Sequence, residues 1–124
     1  MQQPSGKTKY IALLAHPVNH VKAPSFINPE FERIGLDWFL MPLHVRPENL
    51  EDAIYGLQKI DNLLGVNLTI PHKEEMAKLC SDLGPNAKRT KTVNAVRFDN
   101  GKTYLKLNNG KEIFLHDVEN FEVP

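Results

Sequence analysis

Apolar residues fall along this chain in two kinds of run, and the two alternate. Residues 9–15, Lys-Tyr-Ile-Ala-Leu-Leu-Ala, are almost continuously apolar, which suits a central parallel strand buried on both faces. In residues 46–60, by contrast, Leu50, Ala53, Ile54, Leu57 and Ile60 recur at helical spacing. Acidic residues crowd the start of that segment, where a helix N-terminus favours them. Its apolar face reads as core. Residues 38–45 read as a second strand, and Pro42 places it at a sheet edge or at a bulge. The first helix is expected over residues 25–35. Pro29 leaves two solutions there: a regular helix with Asn28 as N-cap and Pro29 at its first position, or a kink at Pro29. Gly35 suits the position just past the helix end. Residues 63–66 form a third short apolar run, followed by a polar loop at 67–74 and a helix-like segment at 75–79.

Residues 92–98 alternate like a strand. Asp99-Asn100-Gly101-Lys102 is a hairpin turn sequence, a strand returns at 103–107, a second turn is expected at 108–111, and a further strand at 112–116. Residues 93–116 therefore read as a three-stranded meander. A short helix is expected after Gly84-Pro85. Strands alternating with helices predict an α/β fold: a three-layer, mostly parallel twisted sheet with helices on both faces, ending in a C-terminal β-meander or hairpin.

The length, 124 residues, suits one domain over residues 1–124. Hydrophobic residues make up 41% and charged residues 24%, ordinary values for a globular chain. Fifteen basic and fifteen acidic residues cancel, which argues against nucleic acid or a membrane surface as the partner. No apolar run approaches the roughly 20 residues of a spanning helix, and the first residues lack the apolar stretch of a signal peptide. The single cysteine, Cys80, excludes an internal disulfide and fits a cytoplasmic location.

The polar loop carries the candidate chemistry. In an open α/β sheet, ligands bind at the carboxyl ends of strands. Asn67 and Thr69 offer an amide and a hydroxyl to a polyol or a carboxylate, and Lys73 offers a charge that doubles as a proton donor. Pro71 fits a position at or just before the first helical turn. The plain alternative is a capped helix start with one solvated lysine. Ser5-Gly6-Lys7-Thr8 ends like a phosphate loop, but Met1 stands where the motif needs glycine, and a strand follows it. His16 and His20 share a loop with no carboxylate or cysteine nearby and read as neutral loop histidines. His44, His72 and His116 are scattered and show no metal-ligand spacing. Lys88, Arg89 and Lys91 read as a solvated face.

Asn67-Leu68-Thr69-Ile70-Pro71-His72-Lys73-Glu74 resembles the N-V-T-x-P-x-K signature of the shikimate dehydrogenase family, found in its N-terminal, substrate-binding domain. Residues 16–24 are similar to a second pattern of that family, N-P-x-x-H-S-K-S-P. Pro17, His20, Lys22 and Pro24 match; Val21 and Ala23 stand in the places of the two serines. In the family those serines hydrogen-bond the carboxylate of shikimate. Lys91-Thr92-Val93-Asn94-Ala95 is similar to G-A-V-N-T, where Asn94 matches the asparagine that contacts substrate; the alternative is an asparagine facing solvent. The resemblance spans roughly residues 6–107.

The resemblance implies hydride transfer between NADPH and 3-dehydroshikimate, with a lysine–aspartate dyad moving the proton. Lys73 matches the lysine and is the candidate catalytic residue. The aspartate has no counterpart in Lys106-Leu107-Asn108-Asn109-Gly110, unless a one-residue deletion brings Asn109 near its place. No G-x-G-x-x-G follows a strand, so NADP is implied for the family and no cofactor is assigned to this chain, which alone is not expected to run the full reaction. The implied substrate contacts are Val21, Ala23, Asn67, Thr69, Lys73 and Asn94. The expected ligand is a small, shikimate-like hydroxy acid. Shikimate itself is expected to bind weakly, since a site that loses its buried polar partners discriminates strongly. Three readings stay open: a stand-alone domain that acts as a non-catalytic binding module or works with a separate cofactor-binding chain, part of a longer dehydrogenase, and a structural protein with an empty inherited pocket whose terminal strands pair in a homodimer.

Overall fold

Strand β1, Lys9–Ala15, is the one on which the rest is assembled: β2, Trp38–His44, and β3, Leu63–Leu68, flank it, both parallel to it. The computed structural model describes residues 3–79 and 95–98, and the backbone of two further strands at 104–106 and 112–117. Helix α1, Ala23–Arg33, links β1 to β2. A 3-10 turn, Pro47–Asn49, and helix α2, Leu50–Leu57, link β2 to β3, and α3, His72–Leu79, follows β3. Strands β4, Ala95–Phe98, β5, Tyr104–Lys106, and β6, Glu112–Asp117, extend the sheet on one side. The order is β2-β1-β3-β4-β6-β5, with β4, β6 and β5 paired antiparallel.

Both faces of β1 are buried, as its unbroken apolar run requires. Ala12 and Leu14 join Leu50, Ile54, Val66, Leu68 and Met76 in the layer beneath α2 and α3. Ile11 and Leu13 join Phe31 and Leu40 beneath α1, with Val21, Ala23, Ile27 and Trp38 packed against them. This is the expected arrangement of helices on both faces.

Several boundaries differ from the sequence expectation. Helix α1 starts at Ala23 and takes Pro24 into its first turn, where a missing N–H costs nothing. Pro29 sits inside it on the exposed side, and Asn28 is no N-cap. Instead the Asn28 side chain accepts from the Leu40 N–H at 2.7 Å and donates to the Leu40 carbonyl at 3.1 Å. Gly35, at φ 80°, ends the helix as expected. The Leu36 N–H reaches the Phe31 carbonyl at 2.9 Å and the Gly35 N–H reaches Glu32 at 3.2 Å, a Schellman motif.

Strand β2 is the sheet edge, as Pro42 requires, with no register shift against β1. Helix α2 is shorter than the periodic segment, and Ile60 lies beyond it, 47% exposed. Strand β3 runs two residues further than its apolar core, so Asn67 is a strand residue and not a loop residue. The loop shrinks to Thr69–Pro71, and Lys73 lies in the first turn of α3.

The last three strands exist but do not follow each other across the sheet. Strand β6, six residues long, lies between β4 and the three-residue β5. Turn chemistry favours a local neighbour but does not choose which strand of a hairpin docks on the sheet; the longer strand offers more ladder bonds to both sides. The turn sequences at 99–102 and 108–111, Cys80, the segment at 84–91, Asn94 and Asn109 lie outside the described residues. Among the described residues, no helix is long and apolar enough to cross a membrane.

Candidate ligand site at the carboxyl ends of the parallel strands

Four backbone hydrogen bonds tie the carboxyl ends of β2, β1 and β3 together. Val45 N–H donates to the Ala15 carbonyl at 3.0 Å, Thr69 N–H to Leu14 at 3.2 Å, and His16 N–H to Ile70 at 3.5 Å. The His72 N–H then donates to the Thr69 carbonyl at 2.8 Å. This last bond closes the turn that starts α3. The β1–α1 loop and the β3–α3 loop therefore face one crevice, and each contains a cis prolyl bond, at His16-Pro17 and Ile70-Pro71.

Asn67 pairs with Leu13 in the parallel register, so the two share the face that α1 covers. The Asn67 carbonyl oxygen is buried and finds no hydrogen-bond donor among the described residues. A buried acceptor left alone costs about 1–3 kcal/mol, and here it sits where α/β sheets hold ligands. Thr69 follows, half-buried. Lys73 is half-buried in the first turn of α3 and forms no ion pair among the described residues. Ile70, 75% exposed, forms the outer lip. Asn67 thus lies near the end of β3, Thr69 in the loop that follows, and Lys73 in the first turn of the next helix.

Val21 and Ala23 are also at this end of the sheet, but as packing groups. Both are half-buried against the cluster of Ile11, Leu13, Phe31 and Leu40. They offer a ligand carbon surface and no hydrogen bond.

Sequence spacing separated three histidines that the fold gathers. His16 follows β1 and His44 ends β2; His16 Nδ1 lies 2.8 Å from His44 Nε2, with the ring centroids 5.1 Å apart and the planes 26° from parallel, so the two rings meet edge to edge. The signal was available: two apolar strands that pair in parallel each end in histidine. His72 is fully buried. Its Nε2–H donates to the Val45 carbonyl at 2.7 Å, and Nδ1 is buried with no hydrogen-bond partner among the described residues. Burial pushes its pKa down, against the Val45 carbonyl, and His16 adds a smaller push the same way. No group of three potential metal ligands occurs among the described residues.

A nicotinamide dinucleotide does not fit these residues. Its pyrophosphate needs a glycine-rich turn between a strand end and a helix N-terminus. Of the described glycines, Gly6 precedes β1, Gly35 follows α1, Gly56 lies in α2 and Gly65 lies within β3, so none lies in a strand-end loop.

Comparison with known proteins agrees with this geometry. Residues 13–96 match a family model described as the shikimate dehydrogenase substrate binding domain. Shikimate dehydrogenase (NADP(+)) of Prochlorococcus marinus strain MIT 9301 is 34% identical over 119 residues, covering 96% of this chain and 41% of that protein. The enzyme of the same name from Methanobrevibacter smithii is 42% identical over 100 residues, covering 81% and 35%. A crystal structure of shikimate dehydrogenase in complex with NADP+ superposes with a TM-score of 0.73 at 35% identity, over 81% of this chain and 34% of that one. Shikimate 5-dehydrogenase from Listeria monocytogenes, in complex with shikimate and NAD, gives 0.72 at 32% identity over 82% and 35%. The chain therefore spans well under half the length of these relatives.

Proposed function

The chain belongs to the shikimate dehydrogenase substrate-binding domain family, and from that premise we propose that it binds a small hydroxy acid of the shikimate class in the crevice at the ends of β1 and β3. The observation that carries this reading is the buried side-chain amide oxygen of Asn67, which has no hydrogen-bond donor among the described residues, at the strand end that leads to Thr69 and Lys73. A ligand hydroxyl supplies the donor that Asn67 lacks. Asn67 and Thr69 orient the ring, and the Lys73 ammonium holds a hydroxyl or keto oxygen and exchanges a proton with it. A general acid or base must lie within hydrogen-bond reach of the atom it serves, and Lys73 stands in the first turn of α3, four residues after Thr69. Asn94, outside the described residues, completes the contact set in this reading.

NADP, when bound, supplies the hydride for such a reduction. It is held by residues other than those described, on a separate chain or a further part of the same protein. The described residues bind and orient the acid, and alone they do not turn it over. Val21 and Ala23 shift specificity away from shikimate itself, because the carboxylate meets carbon where the family supplies hydroxyls. Calorimetric titration with shikimate, quinate and 3-dehydroshikimate tests the reading. We expect at least one to bind at millimolar concentration or better and Lys73→Ala to abolish that binding with the fold intact. Binding unchanged in Lys73→Ala removes the lysine from the site.

A further inference from the structure

The contact between His16 and His44 constrains its own protons. Two ring nitrogens 2.8 Å apart share one hydrogen, one donating and the other accepting. In the uncharged pair, the donating ring presents a bare nitrogen on its far side and the accepting ring presents an N–H. One added proton goes to that bare outer nitrogen. The inner N–H···N bond survives, the pair gains a full positive charge, and an outward N–H stands on each ring. A second added proton would have to enter the contact itself and set two N–H groups head to head. The hydrogen-bonded pair therefore has room for one extra proton and not for two.

The pair is placed to use that charge. The bonds from His16 to Ile70 and from Val45 to Ala15 set it against the loop that carries Thr69 and leads to Lys73. His16 is half-buried and His44 exposed, and their outer nitrogens make no hydrogen bond among the described residues. Val21 and Ala23 leave a carboxylate at this end of the crevice without its hydroxyl partners.

We infer that the His16–His44 pair is the anion anchor of the crevice, taking up one proton when a carboxylate binds. This rests on reading the crevice as a hydroxy-acid site. The proton comes from solvent and goes to an outer ring nitrogen; no bond of the ligand breaks. The charged and titratable groups at this end of the sheet are of both signs: His20 and Lys22 lie on the β1–α1 loop, Arg46 and Glu48 follow β2, and His72, Lys73, Glu74 and Glu75 lie on α3. His72 is already coupled electrostatically to His16.

The test is calorimetric titration of the chain with shikimate and with its neutral methyl ester, in two buffers of different ionisation enthalpy, alongside amide NMR. Shikimate should bind with uptake of close to one proton, and its affinity should rise by up to about tenfold per pH unit on acidification from pH 8, the limit for one linked proton. The ester should take up none. His44→Gln should lose both the uptake and the pH dependence while ligand still shifts the amides of Asn67 and Thr69. His16→Asn gives the same readout if His44→Gln disturbs the amide spectrum of the fold. Shifts at Asn67 and Thr69 without proton uptake, or uptake that persists in both variants, overturn the anchor and leave the crevice reading standing. If neither probe shifts Asn67 or Thr69, the crevice reading fails and the anchor falls with it.

Discussion

The Nε2–H of His72 donates to the carbonyl of Val45 at 2.7 Å, a bond from the first turn of α3 to the chain leaving β2. It passes beneath the end of β1 and fixes the turn on which Lys73 stands. The ring that makes it is fully buried and uncharged, and burial lowers its pKa.

That lowering has a defined consequence for stability. The unfolded histidine takes up a proton near pH 6.5, before the folded one does. Stability should be constant above that pH, fall as the pH drops below about 6.5, and level off below the folded value. Glu30, whose carboxyl is held below its usual range by Arg33, acts in a separate window, below about pH 4.5. Urea unfolding of wild type and His72→Gln between pH 8 and 5 checks this: the variant should be less stable at pH 7.5 and should lose the His72 part of the slope.

Gly65 and Gly56 should respond to alanine with opposite signs. A Cβ on Gly65 would stand 2.3 Å from the Val96 carbonyl oxygen on β4, a backbone atom held in the ladder. Gly65→Ala should cost about 1–3 kcal/mol or more and separate β4 from β3. In α2, a Cβ on Gly56 meets open space, so Gly56→Ala should add about 0.5–1 kcal/mol. Thermal unfolding of the two variants reads both.

Asn28 guards the sheet edge. Residues 37 and 45 bond inward to β1, so alternation turns the polar groups of residues 38, 40, 42 and 44 outward. Asn28 occupies both groups of Leu40, and Pro42 has no N–H. Asn28→Ala should cost about 1–3 kcal/mol and reopen the edge to pairing. Denaturant unfolding gives the first and sedimentation at raised concentration the second; a monodisperse variant of unchanged stability would remove this role.

Putting serine at both Val21 and Ala23 should strengthen shikimate binding and weaken the fold. Both side chains pack on the cluster of Leu13 and Phe31, and each hydroxyl that lacks a partner there costs about 1–3 kcal/mol. Calorimetry with shikimate and urea unfolding should move in opposite directions. A stability loss with no gain in affinity would mean that the crevice does not hold the acid at that position.

The sequence was legible wherever one local rule decided the outcome. The continuous run before His16 suited a buried strand, Pro42 pointed to an edge or a bulge, and Gly35 suited a helix end. It was less legible where partners lie far apart along the chain. Asn28 resembled a helix cap because its true partner, Leu40, is on the next strand. Two turn sequences around β5 suggested a meander, but which strand of the β5–β6 pair meets β4 depends on packing that no turn encodes. At the candidate site, Asn67, Thr69 and Lys73 come within eight residues of one another along one strand end, loop and helix start, so a single local segment suggested them. His16 and His44 are joined only by the parallel register of β1 and β2, so spacing alone treated them as unrelated.

The most direct test of the central claim is a backbone amide NMR titration of the chain with shikimate, quinate and 3-dehydroshikimate. The predicted result is a set of shifts confined to Asn67, Thr69, Lys73 and the loop from His16 to Ala23. Residues at the other end of the sheet, such as Lys9 and Asn62, should not move. Silence at Asn67, Thr69 and Lys73 up to millimolar ligand, or shifts that gather instead along the groove of Asn28, Glu32 and Trp38 beside the edge strand, would contradict it.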